Sequence, residues 1–323
     1  MVNYTTVQMI DDREVNTDVA NRTFKYYIFD WDDNILHMPT CIYLEKRNEN
    51  GVWQPVAVPT STFALVRTDV TNYRLPENGG AAAAFRDFQD VPGEVSAQSF
   101  IRDTRDALER VVRQGEPACP SFETLRKTLR EGRIFAIVTA RGHAPDTIRE
   151  AVRIFISTVL TDAERREMMA NLRGYRWWLD RKTTFGTDEE ELDYYLSMCR
   201  YHAVTSPDFK AKVEGDADFG LRFASASQEN RPELAKEFAI RDFVEHLFHM
   251  LQRTGGLGRP VSVGFSDDDA GNVSAVSDYI REELAREFGN FKFVVYDTSD
   301  PTLSHGRKVV VSGQTDLPGL ERT

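Results

Sequence analysis

The chain has 323 residues, enough for one large domain with insertions or for two modest domains. Hydrophobic residues make up 41% and charged residues 28%, the balance of an ordinary globular protein. With 51 acidic against 40 basic residues the net charge is −11, which argues against broad nonspecific attraction to nucleic acid or an anionic membrane. No apolar core follows a basic start and no apolar run reaches membrane-spanning length, so neither a signal peptide nor a membrane anchor is expected. Cys41, Cys119 and Cys199 are widely separated and fit neither a disulfide framework nor a zinc cluster, making a reducing cytoplasm the expected compartment.

Residues 1–23 are polar and without periodicity, an arm with room for one extra strand. Tyr26-Tyr27-Ile28-Phe29 is then a short apolar run stopped by Asp30-Trp31-Asp32-Asp33-Asn34, the pattern of a buried strand of a parallel sheet over about 25–30. In open α/β sheets ligands bind beyond the carboxyl ends of such strands, which puts Asp30 and Asp32 where chemistry is done. Carboxylates this close repel one another unless a cation or a shared proton relieves them, and hard oxygen ligands suit Mg²⁺.

The segments 41–47 and 52–58 are rich in strand formers and flank the turn Asn48-Glu49-Asn50-Gly51, a β-hairpin whose second arm Pro55 and Pro59 place at an edge. Residues 60–119 read as mainly helical, with Phe100, Ile101, Leu108, Val111 and Val112 forming one apolar stripe. Pro120-Ser121-Phe122-Glu123 opens a helix to about Glu131, and Ile134 to Val138 is a second buried strand ending in Thr139-Ala140-Arg141-Gly142. The forked donors of Arg141 suit phosphate oxygens.

After Pro145 a helix runs to about Leu160, and capping boxes at Thr161 and Thr187 open two more, the second reaching about Tyr201. Trp177 and Trp178 among the arginines of 173–185 could stack single-stranded bases, although large side chains building a small core is the preferred reading. Residues 206–231 read as loop. Pro232 begins a long helix closed by Gly255 to Gly258, a stop and not a nucleotide cradle because no strand precedes it. Val261 to Phe265 is a third buried strand, ending in Ser266-Asp267-Asp268-Asp269. Those carboxylates either suit the positive end of the following helix or hold a cation. Residues 291–296 form a later strand, 308–311 one more, and the last ten residues are expected to be loose.

Taken together, these stretches resemble the haloacid dehalogenase (HAD) superfamily. The apolar strand with Asp30-Trp31-Asp32 resembles its first motif, with Asn34 standing where Thr or Val is usual. The strand ending in Thr139 resembles the second motif, Lys236 the third, and Asp267-Asp268 ahead of a helix the fourth. The resemblance implies an α/β fold, a Rossmann-like core with a parallel sheet flanked by helices, made from 1–36, 120–142 and 232–323. Inserted segments would then lie at 37–119 (the C1-cap position, a hairpin plus helices) and at 143–231 (the C2-cap position, helical).

The same resemblance implies a Mg²⁺-dependent phosphomonoester hydrolase working through an aspartyl-phosphate. Asp30 would be nucleophile and Asp32 general acid/base, with Thr139, Arg141 and Lys236 binding phosphate. Lys210 and Lys212 compete with Lys236, since spacing alone does not choose. Metal would be held by Asp30, Asp32 through its carbonyl, and Asp267 or Asp268, with Asp269 as an open alternative. The expected partner is a small phosphorylated molecule. A nucleic-acid end phosphatase and a non-catalytic scaffold on the same core are the competing expectations.

Overall fold

The structure is a computed structural model and describes residues 13–227, 230–300, 302–303 and 306–312. Of the expected arm only 13–23 is therefore described, and the loose last ten residues lie outside the described residues. In chain order, β1 (Phe24–Phe29) is followed by β2 (Cys41–Arg47), β3 (Trp53–Pro59), α1 (Thr60–Val66), β4 (Tyr73–Arg74) and α2 (Gly80–Ala84). Helices α3 (Ser99–Gln114) and α4 (Phe122–Arg130) lead into β5 (Phe135–Thr139). Next come α5 (Pro145–Val159), α6 (Asp162–Leu179), α7 (Asp188–Met198) and β6 (Arg200–Ala203). After α8 (Pro207–Glu214), α9 (Phe219–Ser225) and the long α10 (Arg231–Thr254), the chain ends with β7 (Val261–Asp267), α11 (Ala270–Tyr279), β8 (Phe291–Asp297) and β9 (Arg307–Ser312).

Six strands form one sheet in the order β6-β5-β1-β7-β8-β9, parallel except for β9, which pairs antiparallel with β8. Helices flank this mostly parallel sheet, giving a Rossmann-like α/β fold. On one face Phe238, Phe243 and Leu247 of α10 pack with Phe24, Val263 and Phe265. On the other, Phe100 and Leu108 of α3 and Phe155 of α5 pack with Phe29, Phe135 and Ile137. Being covered on both faces, β5 is buried at all five positions, the reason it reads as a continuous apolar run. The chain steps outward from β1 to β5 and β6, then crosses back to β7 on the far side of β1. The order therefore reverses between β1 and β7, where open α/β sheets leave a crevice at the carboxyl ends.

A second, antiparallel sheet, β3-β2-β4, stands on its own small core of Ile42, Leu44, Val58, Ala84 and Phe88. Its hairpin has the expected turn: Asn48 Oδ1 accepts from the amides of Asn50 and Val52, and Gly51 takes the left-handed φ of 79° that its position requires. Edge strand β3 carries Pro55 and Pro59. Helix α3, by contrast, packs on the main sheet, so within 37–119 the part with its own core spans about 41–88.

Two expectations are corrected. The helix from Thr187 stops at Met198, and Arg200–Ala203 is the edge strand β6, so the segment 143–231 is not wholly a helical insertion. Four residues with Arg and His among them carry too little apolar signal to read as a strand, although Ser206-Pro207 just after them is a helix start that marks their end. Residues 206–231 hold the short helices α8 and α9, anchored by Phe209, Phe219 and Phe223, where loop was expected. Both capping boxes, at Thr161 and Thr187, are formed. Gly174 on α6 lets the arm come close, since a Cβ there would overlap the Asn16 carbonyl. Among the described residues no helix is long and apolar enough to cross a membrane, and all three cysteines are free.

Candidate functional site

Strand β1 hands the chain to Asp30, whose amide continues the ladder by donating to the Ser266 carbonyl of β7 at 3.0 Å. The next residues fold into a tight loop in which Ile35 and Leu36 donate to the Trp31 carbonyl and Asp33 takes a positive φ of 53°. Asp30 is thereby fixed at the β1/β7 reversal, and Asp32 faces the end of β5. From the last residue of β7 comes Asp267, with Asp268 just beyond it, and from the first turns of α10 comes Lys236.

Lys236 holds this end of the sheet together. Its ammonium, nearly fully buried, donates to Asp30 Oδ1 at 3.0 Å and to Asp267 Oδ2 at 2.7 Å. Burial alone would lower its pKa, but Asp267 and Asp30 outweigh burial and hold it above the ordinary lysine value. Asp267 also accepts from the Asp269 amide and from Asn272 Nδ2. Asp30 Oδ2, by contrast, accepts no hydrogen bond from any described residue, and neither oxygen of Asp268 does. Burial pushes the Asp30 carboxyl up to about 8 against the pull of Lys236, with Asp267 and Asp32 adding to the rise. Asp268 is pushed up to about 9 by burial and by the charges of Asp30, Asp267 and Asp33. Asp269 does something else: it caps α11, accepting from the Gly271 and Asn272 amides, and meets Arg67 of the small-sheet module at 3.3 Å.

A second layer surrounds Asp32. Arg141 grips both of its oxygens, Nε to Oδ2 at 2.8 Å and Nη2 to Oδ1 at 2.6 Å, and Nη2 also donates to Thr40 Oγ1 at 2.8 Å. Only 1% of Arg141 is exposed, and its guanidinium lies between the rings of Phe88 and Phe100 at 4.5 and 4.9 Å, while Nη1 is buried without a partner. Thr40 passes the network to Asp103 at 2.5 Å. Thr139 lies at the end of β5 with Oγ1 a long 3.5 Å from Asp32 Oδ2. Asp32, Asp30, Asp267 and Asp268 thus face two cations, Lys236 and Arg141, an excess of two negative charges when all four carboxyls are ionised. Among the described residues no three His, Cys, Asp or Glu side chains are drawn together as a closed metal cage.

No family model, curated protein or solved structure matches this chain.

Every residue singled out from the sequence for this chemistry lies at this one end of the sheet, except the two competing lysines. Lys212 donates to Asp242 at 2.5 Å and Lys210 lies beside it on α8, so Lys236 is the lysine that reaches Asp30. Arg141, expected to face phosphate, turns its Nε and Nη2 toward Asp32 and Thr40. The Arg-Trp stretch is committed to packing and ion pairs. Trp178 stacks on Phe24 at 5.7 Å, and Arg176 pairs with Asp180 and Glu191.

Several residues escaped the sequence reading. Asn34, noted only as a departure from a motif, is fully buried and joins four elements. Its Nδ2 donates to the carbonyls of Asp30 and Ser266 and to Ser266 Oγ, and its Oδ1 accepts from Ser121 and Thr298. Asp90, in the loop before α3, accepts from His143 Nδ1, the Ala144 amide and Thr147 Oγ1, tying that loop to the start of α5. Asn272 alone gave a signal, three residues past Asp269 at a helix start.

Proposed function

We propose that the chain is a Mg²⁺-dependent phosphomonoester hydrolase on a haloacid dehalogenase-type core, with the module around 41–88 as its cap. One observation carries the reading. Lys236 pairs with Asp30 Oδ1 and Asp267, while Asp30 Oδ2 and the Asp268 carboxyl are left as open hard-oxygen donors whose ionised forms only a further cation would balance. That donor set fits Mg²⁺, with Asp30, the Asp32 carbonyl and Asp268 as the protein ligands and Asp267 holding Lys236 beside them. A bound Mg²⁺ supplies charge screening between an anionic nucleophile and an anionic phosphate.

The residues of the chain then divide the work. Asp30 Oδ2 attacks phosphorus as the bond to the leaving alcohol oxygen breaks, giving an aspartyl-phosphate. Asp32 gives a proton to the departing oxygen, then takes one from the water that attacks the intermediate, which frees inorganic phosphate and restores the Asp30 carboxylate. Arg141 fixes Asp32 through both oxygens, and Oδ1, which accepts from Arg141 alone, keeps a further lone pair for the proton it must carry. Lys236 and Thr139 oppose charge on the equatorial oxygens of the transferring group. Thr60 on Asp33 at 2.7 Å and Arg67 on Asp269 join the small-sheet module to the rim, which supports its reading as a cap that selects small substrates.

The test is a panel of phosphomonoesters, with terminally phosphorylated oligonucleotides included, assayed with Mg²⁺ and with EDTA. Release of phosphate that needs Mg²⁺ and vanishes in Asp30→Asn supports the reading. No Mg²⁺-dependent turnover across the panel would leave a binding protein on this fold as the better account. Preference for the oligonucleotides would favour the end-phosphatase.

A further inference from the structure

The opposite pole of the sheet carries a cavity that the phosphoryl chemistry does not use. Phe24 and Tyr26 from the start of β1 line it, with Ile134 at the entry to β5 and the last turns of α6 and α10. Met250 in its wall is fourteen residues beyond Lys236 on α10, about 21 Å away along the helix at ~1.5 Å per residue. Its volume of about 380 Å³ falls in the range of small-molecule pockets.

Three features describe what it would accept. The walls are apolar and aromatic, with Phe24, Leu172, Leu179 and Tyr195 among them. Tyr26 is only 7% exposed, yet its hydroxyl has no hydrogen-bond partner among the described residues and is not sealed within protein, so it opens on the cavity. A buried phenol ordinarily finds a partner, and here that partner is missing from the chain. The charged lining is basic: Lys25, Arg133, Arg176 and Arg253 against Asp180 and Glu191, both of which Arg176 already binds. Arg253 is exposed at the rim and forms no ion pair with any described residue. In a chain of net charge −11, such a rim is a local reversal of sign.

We infer that this cavity is a binding site for a small amphiphilic anion. An aromatic body lies against Phe24 and Leu179, an acceptor atom takes the Tyr26 hydroxyl proton in a hydrogen bond, and an acidic group meets Arg253 at the mouth. The inference is independent of the phosphoryl chemistry, since it uses none of the carboxylates at the other pole.

The probe is 8-anilinonaphthalene-1-sulfonate, which combines aromatic rings with one sulfonate, titrated calorimetrically into the full chain. One saturable site per chain is expected. Leu179→Trp, which fills the cavity, should weaken binding by about tenfold or more, and Arg253→Glu, at an exposed position that leaves folding intact, by several-fold. Tyr26→Phe should weaken it by a smaller factor. The uncharged analogue N-phenyl-1-naphthylamine should bind less tightly to the wild type and lose nothing in Arg253→Glu. Absence of saturable binding to the full chain overturns the inference. So does equal binding by wild type and Arg253→Glu, or unchanged binding in Leu179→Trp, which would put the dye elsewhere on the chain.

Discussion

Asn34 offers the sharpest test of how the site is built. Leucine has nearly its shape but none of its polarity, so Asn34→Leu removes five hydrogen bonds of 2.8–3.2 Å from a fully buried position. The Ser266 carbonyl keeps the Asp30 amide, but the Asp30 carbonyl and the hydroxyls of Ser121, Ser266 and Thr298 lose the amide they were bonded to. At the lower end of about 1–3 kcal/mol for each buried polar group left unsatisfied, four such groups make the loss roughly 4–5 kcal/mol. Urea unfolding at neutral pH reads this directly. Removing both sides of a buried hydrogen bond is much milder than removing one, so the quadruple variant Asn34→Leu, Ser121→Ala, Ser266→Ala, Thr298→Val should recover most of the stability, to within about 1.5 kcal/mol of wild type. Ser121→Ala brings no cap penalty, because the Ser121 side chain makes no capping bond to α4. A quadruple variant less stable than Asn34→Leu itself would refute the idea that orphaned polar groups set the cost.

The acidic cluster should separate into three roles. Asp268→Asn removes an unpaired carboxyl whose folded pKa, about 9, lies above its unfolded value of ~3.9. That carboxyl erodes stability as pH rises from about 4 to 9, so the variant should gain on wild type over that window without Mg²⁺, while its thermal midpoint responds only at higher Mg²⁺. Asp267→Asn deprives buried Lys236 of a charged partner and should lose about 3–5 kcal/mol at neutral pH, as when one member of a buried ion pair is removed. Asp269→Ala should lose only about 1 kcal/mol, the cost of a helix cap, with an unchanged Mg²⁺ response. Away from the site, Asp242 is held well below the usual carboxylate range, since the nearby His202 imidazole and the Lys212 ammonium outweigh its burial. Its contribution is present above the unfolded pKa and lost as pH falls through the folded one, so Asp242→Asn should be destabilised at pH 7 and converge on wild type in acid unfolding.

The elements that could be read from the sequence share one property: a signal within a few residues. Continuous apolar runs announced β1, β5 and β7 because strands covered on both faces need apolar side chains throughout. Thr161 and Thr187 announced their helices because a capping box is a local contract between a residue and its third neighbour. Strand β6 did not announce itself, since an edge strand of four residues is defined by its neighbour β5 and not by its own composition. The site follows the same division. Asp30, Lys236 and Asp267 lie at ends of legible elements, and their meeting follows from the sheet order. The grip of Arg141 on Asp32, the relay through Thr40 to Asp103, and the four-way bonding of Asn34 join residues dozens to hundreds apart, which no spacing encodes. The choice among Asp267, Asp268 and Asp269 was open in the sequence for the same reason, because which carboxylate is pinned, open or capping depends on where Lys236 and the α11 amides point.

The most direct measurement is to look for phosphate on Asp30 itself. The chain is mixed with para-nitrophenyl phosphate and Mg²⁺, quenched in acid within the first turnovers, and reduced with borohydride, which converts an aspartyl-phosphate to homoserine. Peptide mass spectrometry then locates the change. Conversion at Asp30, absent without Mg²⁺ and enriched in Asp32→Asn because hydrolysis of the intermediate slows, is the expected result. Turnover of the ester with no conversion at Asp30, and with activity surviving in Asp30→Asn, would contradict a covalent role for the residue at the centre of the site.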